Sequence, residues 1–123
     1  MDKCRFYSQK YPENTLIALD DAKVVSFVSY GCFRDSATIA GEIFALYVLK
    51  DYYGKGVGQQ LMQAAFVALD GYQEIILWVL EDNKRAIAFY EKMDFVFDGV
   101  EKIIDLGKAV KEKRMIYLKN SNS

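Results

Sequence analysis

Three glycines at alternate positions, in Gly54-Lys55-Gly56-Val57-Gly58, separate a run of strand formers from a run with helical periodicity. Such a loop turns tightly and lets a ligand approach the main chain. The first N–H groups of the following helix have no acceptor inside it. With the positive end of the helix dipole they suit a phosphate or diphosphate. A plain tight turn uses the same residues, so the chemistry needs support from elsewhere in the chain. Two phosphate loops are excluded. A P-loop requires Ser or Thr after Gly-Lys, where Gly56 stands, and the dinucleotide fingerprint requires a glycine where Gln59 stands.

The 123 residues include no histidine. Ser–His–Asp and Cys–His nucleophile systems are therefore excluded. Two cysteines cannot replace the missing imidazoles in a four-ligand zinc site, so no metal centre is expected. Proton transfer falls to Glu, Asp, Tyr, Cys, Lys or bound water. Sixteen basic residues against 17 acidic ones give a net charge of −1, with no basic footprint for nucleic acid. The run Lys108–Arg114 is interrupted by Glu112 and reads as a solvated loop. MDKCRFYSQK has no signal-peptide core, and apolar runs such as Glu74–Leu80 fall far short of the ~20 residues that span a bilayer. Cys4 and Cys32 read as packing residues or exposed thiols, which implies a reducing, cytoplasmic setting without membrane association.

The elements that would position the glycine loop follow from pattern. Thr15–Leu19 and Lys23–Tyr30 form a hairpin about Asp20–Asp21, and Gly31–Ser36 reads as a loop. Ile39–Leu49 is a third strand leading into the glycines. Val57, Leu61, Ala65, Phe66, Ala68 and Leu69 recur at helical steps, and Asp70-Gly71 ends that helix. Glu74–Leu80 is a continuous apolar strand, as expected when both faces are covered. Asn83–Met93 is a second helix, and Phe95–Val100 and Arg114–Leu118 close the chain as strands with a polar connection between them. The order β-β-β-α-β-α-β-β implies one parallel pair inside an otherwise antiparallel, mixed α/β sheet. The whole chain, 1–123, reads as a single domain.

The segments GEIFALYVLKDYYGKGVGQQLM and LWVLEDNKRAIAFYEKMDF, from Gly41 to Phe95, resemble the GCN5-related N-acetyltransferase superfamily, in particular its bacterial small-substrate members. Their pattern is a strand ending in LYV, an R/Q-x-x-G-x-G/A loop, then N-x-x-A-x-x-F-Y-x-x-x-G-F. Tyr53 stands at the R/Q position, and Asp94 at the glycine of the final G-F. Asp tolerates a left-handed backbone better than most residues, so the turn can survive. Members usually carry a strand and two helices before the hairpin, whereas about 14 residues precede it here. That part is expected to be shortened or missing, or its wall to come from another subunit.

The resemblance implies that acetyl-CoA is the cosubstrate. It places the diphosphate at Tyr53, Gly54, Lys55, Gly56, Val57, Gly58 and Gln59, and the acetyl carbonyl and pantetheine amides at the main chain of Leu46, Tyr47 and Val48. It gives the pantetheine arm to Asn83 and the thioester sulfur to Tyr90. Asn83 and Tyr90, seven apart, would project within about 20° of one another and roughly 10 Å apart on a helix. Tyr90 as a phenol of pKa about 10 can protonate the leaving thiolate. Read without the motif, Asn83 is an N-cap and Tyr90 a core aromatic.

Glu42 is the candidate base, acting directly or through water, because it lies on the third strand in phase with Phe44, Leu46 and Val48. A solvated glutamate at the start of a strand is the other reading. Trp78 and the Tyr30–Phe33 region read as core. The function implied is direct acetyl transfer to a primary amine of a small molecule or peptide through a tetrahedral intermediate. The alternatives are a non-catalytic acyl-CoA-binding module and a nucleotide-binding domain. An exposed edge strand would permit a homodimer.

Overall fold

The computed structural model describes residues 14–34 and 39–118. Its strands are β1 (Asn14–Asp20), β2 (Lys23–Arg34), β3 (Ile39–Val48), β4 (Glu74–Leu80), β5 (Val96–Asp105) and β6 (Ala109–Leu118). The helices are α1 (Val57–Ala68) and α2 (Lys84–Lys92), with a short 3-10 turn at Lys50–Tyr52 before the glycine loop. The six strands form one sheet in the order β1-β2-β3-β4-β6-β5. Only β3 and β4 pair in parallel. The element order is the one expected from sequence.

Both helices cover the same sheet face, because their apolar residues join one cluster. Leu61, Met62 and Ala65 of α1, with Leu69 just beyond it, and Tyr90 of α2 meet Val28, Ile43, Ile75, Leu77 and Met115 from the strands. Successive strand residues point to opposite faces, so Ile75, Leu77 and Val79 serve this core while Ile76 and Trp78 face the other way. Ile76 is buried as well, which accounts for the unbroken apolar run in β4. Helix α2 starts at Asn83, whose side-chain oxygen accepts a 3.2 Å bond from the Ala86 N–H. It ends before Asp94, which adopts the left-handed backbone that its position demanded, with φ 76°.

Two features of β3 decide where the site lies. Its parallel pairing with β4 consists of Gly41–Ile75, Glu42–Ile76 and Ile43–Leu77, and goes no further. From Phe44 to Val48, the edge of β3 that faces β4 therefore leaves main-chain N–H and C=O groups outside the ladder. In addition, β3 carries a bulge. Ser29 pairs Ala45 and Tyr30 pairs Ile43, so Phe44 is an extra residue.

The bulge corrects the expected phase of Glu42. A Cβ on Gly41 would meet Leu69 and Tyr72, and Ile43 joins the helix-side core, so Glu42 between them faces away from the helices. Beyond the bulge, Leu46 packs on the helix-side core. Glu42 and Leu46 thus lie on opposite faces, despite an even spacing.

Three other expectations change. Strand β2 continues through Arg34 instead of ending at Tyr30, and residues 35–38 lie outside the described part. The segment Lys108–Arg114 is mostly strand β6, not a loop. Its charges are matched across the hairpin, Lys113 with Glu101 at 3.9 Å, Lys102 with Glu112 at 3.5 Å and Arg114 with Asp98 at 2.7 Å. Cys32 is disulfide-bonded to a partner outside the described residues. This replaces the expected thiol and removes the cysteine-based ground for a reducing compartment. Cys4 and the segment before the hairpin also lie outside the described residues, 14 onward. Among the described residues no helix is long and apolar enough to cross a membrane.

Candidate active site

The glycine loop is held at both ends. The Tyr52 hydroxyl donates to the Asp20 carboxylate at the end of β1. The Tyr53 N–H donates to the Lys50 carbonyl at 3.1 Å, closing the 3-10 turn. Gly56 caps α1 with φ 84°, in the left-handed region where a side chain would be strained. The bond from the Gln60 N–H to the Gly56 carbonyl, at 3.0 Å, is the first of the helix. The N–H groups of Val57, Gly58 and Gln59 precede it and by helix geometry lack intrahelical acceptors. Gly58 sits where three elements converge. A Cβ there would lie 3.4 Å from Val48 of β3 and 3.6 Å from the Phe89 ring of α2.

These elements enclose a cavity of about 530 Å³. Leu46, Tyr47 and Val48 form its β3 wall, and Tyr53, Gly54, Gly56, Val57, Gly58 and Gln59 its loop wall. Asn83 and Tyr90 belong to its α2 side. The fold thus brings together all but one of the residues expected to contact a cofactor. Lys55 is the exception. It does not line the cavity, and its ammonium lies 5.8 Å from the centre of the Tyr52 ring.

Tyr90 closes the cavity from the core side and is only 9% exposed. Its ring meets Phe89 and Phe95 edge-on, at 5.6 and 6.0 Å between centres. Burial pushes the phenol pKa above its ordinary value of 10, so Tyr90 holds its proton in neutral solution. Ser26, also buried, donates a 2.7 Å hydrogen bond to the Tyr47 carbonyl and fastens β3 beside the cavity.

Glu42 approaches from the other side of the sheet. It belongs to the last residues that pair with β4, at the root of the gap between the two strands. Burial pushes its carboxyl up to about 7, against the opposing pull of Lys102 and Arg114. Around it the far face carries a ring-and-charge surface instead of a core. Lys102 Nζ lies 4.1 Å from the Trp78 ring centre, and the Arg114 guanidinium is within 6.0 Å of both Trp78 and Phe33. Trp78 is therefore not the core residue expected from its neighbours in β4. Among the described residues, no group of three or more Cys, Asp and Glu converges as a metal-ligand set.

Sequence reasoning missed Tyr52, Arg85, Ala86, Phe89 and Lys92, which also line the cavity. Arg85, Phe89 and Lys92 are four and three residues apart, so they form one stripe along α2. That spacing was available in the sequence, but two cations on an amphipathic helix read as its solvent side.

The acetyltransferase (GNAT) domain model matches residues 12–97, a span that includes the loop, the gap and both helices. The chain belongs to the GNAT acetyltransferase family. It is 33% identical over 96 residues to N-alpha-acetyltransferase 30 of Schizosaccharomyces pombe, a match covering 74% of this chain and 63% of the relative. It is 34% identical over 73 residues to the peptidyl-lysine N-acetyltransferase YjaB of Salmonella typhimurium, covering 59% of this chain and 48% of that protein. The chain thus spans between about half and two thirds of the length of these GNAT relatives. The fold also matches a chain of the NatC complex bound to Gag peptide and CoA, with a TM-score of 0.73, 22% identity, and coverage of 93% of this chain and 76% of that one. The fold expected from the resemblance, a mixed GNAT sheet with helices packed on it, is the fold observed.

Proposed function

We propose that this GNAT domain transfers an acetyl group from acetyl-CoA to a primary amine of a small molecule or peptide by direct attack. The observation that carries this reading is the gap between β3 and β4, flanked by Tyr90 on the helix face and by Glu42 on the far face. A two-substrate transfer needs such a passage, with the acyl donor entering from one side and the amine from the other.

The cavity fits the donor by its chemistry. Its loop wall offers glycine main chain and the start of a helix, which suit a diphosphate. Its β3 wall offers unladdered peptide groups between Leu46 and Val48, which suit the amides of a pantetheine arm. Asn83 uses its side chain as the N-cap of α2, and the same amide still has N–H groups to direct at the arm. Acetyl-CoA supplies an activated thioester. An alkylamine is mostly protonated near pH 7 and must lose a proton before its nitrogen can attack. Glu42, with a carboxyl balanced near neutrality, takes that proton directly or through water. Collapse of the tetrahedral intermediate expels a thiolate, which the retained phenol proton of Tyr90 neutralises.

The test combines calorimetry with acetyl-CoA and a thiol-release assay over polyamines, lysine peptides and peptides with free N-termini. Amine-dependent thiol release with acetylated product is the expected result. Binding of acetyl-CoA with no release across the panel would make the chain an acyl-CoA-binding module. Binding of ATP or NAD in preference to CoA would make the loop a nucleotide site.

A further inference from the structure

The loop's own cation, Lys55, does not line the cavity, yet a diphosphate carries charge that main-chain dipoles neutralise only in part. Two other cations line the wall, Arg85 and Lys92, both from α2. Arg85 is the better placed because it is held. Its guanidinium lies 4.1 Å from the centre of the Tyr53 ring, and Tyr53 immediately precedes the first glycine of the loop. A guanidinium seated over an aromatic ring still has N–H donors at its edge to direct at oxygens. Phe89, four residues on along the same stripe, meets the space above Gly58 at 3.6 Å, so this stripe of α2 faces the start of α1.

We propose that Arg85, braced by Tyr53, is the side chain that binds the diphosphate of the acyl donor, so that the loop's charge is supplied by the opposite wall of the cavity. This rests on the acetyl-CoA reading above. It gives Tyr53 a positioning role: the ring replaces a direct polar contact to phosphate by orienting a guanidinium from α2. A planar fork also binds phosphate oxygens in pairs, which a lysine ammonium does not.

The experiment compares donors that share the reacting thioester but differ in phosphate. Acetyl-CoA and its 3′-dephospho form carry the diphosphate, whereas S-acetyl-pantetheine lacks the whole nucleotide, so a loss that belongs to the diphosphate must appear with both of the first two. Arg85→Ala is expected to lower the ratio of kcat/KM for acetyl-CoA over that for S-acetyl-pantetheine about tenfold, the size of one charge-assisted contact. Arg85→Lys should fall between, and Tyr53→Ala should lower the ratio more than Tyr53→Phe, which keeps the ring. An unchanged ratio in Arg85→Ala would overturn the assignment. So would equal losses for all three donors, which would mark a defect in folding or chemistry and not in phosphate binding. Wild-type protein that uses and binds none of the donors would overturn this proposal together with the acetyl-CoA reading. Wild-type binding of CoA with undiminished binding in Arg85→Ala overturns this proposal alone.

Discussion

The two faces of the sheet are built on different principles. On the helix face, the architecture around the cavity depends on the main chain: a left-handed Gly56 heads α1, the edge of β3 is unladdered and the start of α2 is capped. The far face is organised by side chains that hold one another across a hairpin: Asp98 with Arg114, Glu112 with Lys102, and Trp78 beneath two cations. Main-chain sites constrain sequence sharply, because few residues tolerate the backbone they require. A lattice of paired charges constrains it loosely, since each partner can be exchanged together with its mate.

The comparison can be broken at its strongest point first. Tyr90→Phe removes the phenol proposed as the acid but keeps the ring packing against Phe95. We expect kcat to fall on the order of 100-fold with the KM for acetyl-CoA within about threefold. Unchanged turnover in steady-state kinetics would remove Tyr90 from the chemistry.

Glu42→Gln tests the far face. A base works only when deprotonated, and with a carboxyl near 7 wild-type activity should rise with pH through that value. The variant should lose roughly 30-fold in kcat/KM at pH 8, less at pH 6, and its profile should be flat across neutrality. A rise near pH 7 that persists in the variant would assign the titration elsewhere.

The same carboxyl has an effect on stability with a definite sign. Its folded pKa lies above the ordinary 4.5, so the unfolded chain releases this proton first as pH rises. Folding stability is therefore lost between about 4.5 and 7, and the penalty is complete above that window. Glu42→Gln should raise the melting temperature more at pH 8 than at pH 5, as scanning calorimetry would detect. An equal change at both would contradict the burial assigned to this group.

The smallest expected effects concern backbone strain. Asp94 holds a φ of 76°, so Asp94→Gly should stabilise the fold by about 0.5–1 kcal/mol in denaturant titrations. Gly56→Ala should do the reverse by about 1 kcal/mol and, if the start of α1 holds the diphosphate as proposed, should also raise the KM for acetyl-CoA, because Gly56 heads that helix. A Gly56→Ala change confined to stability would separate the cap from recognition.

How far the fold and site were legible follows from the same contrast. Glu74–Leu80 was read to the residue because burial on both faces leaves an unbroken apolar run. The start of α1 and the Asn83 cap were legible because only a few residue types serve there. The β5–β6 hairpin was not. Lys102, Lys111 and Lys113 look solvated until Glu112 and Glu101 are brought opposite them, and that pairing is set by the strand register rather than by local pattern. Arg85 was hidden for a related reason, since a charge that lines a cavity and one that faces open water look alike along a helix. Phe44 left no trace, because a bulge adds a residue without altering composition or periodicity enough to be seen.

That extra residue has a consequence for how the protein can change. Ahead of Phe44 the even-numbered position Glu42 faces away from the helices, while behind it the even-numbered position Leu46 faces the helix-side core and the cavity. One ribbon of backbone thus lends the same parity of residues to both faces of the sheet by exchanging its sides midway. Removing the single residue at Phe44 would restore plain alternation and leave Leu46 and all that follows on their present faces, whereas losing Phe44 together with a neighbour would turn everything downstream to the opposite side.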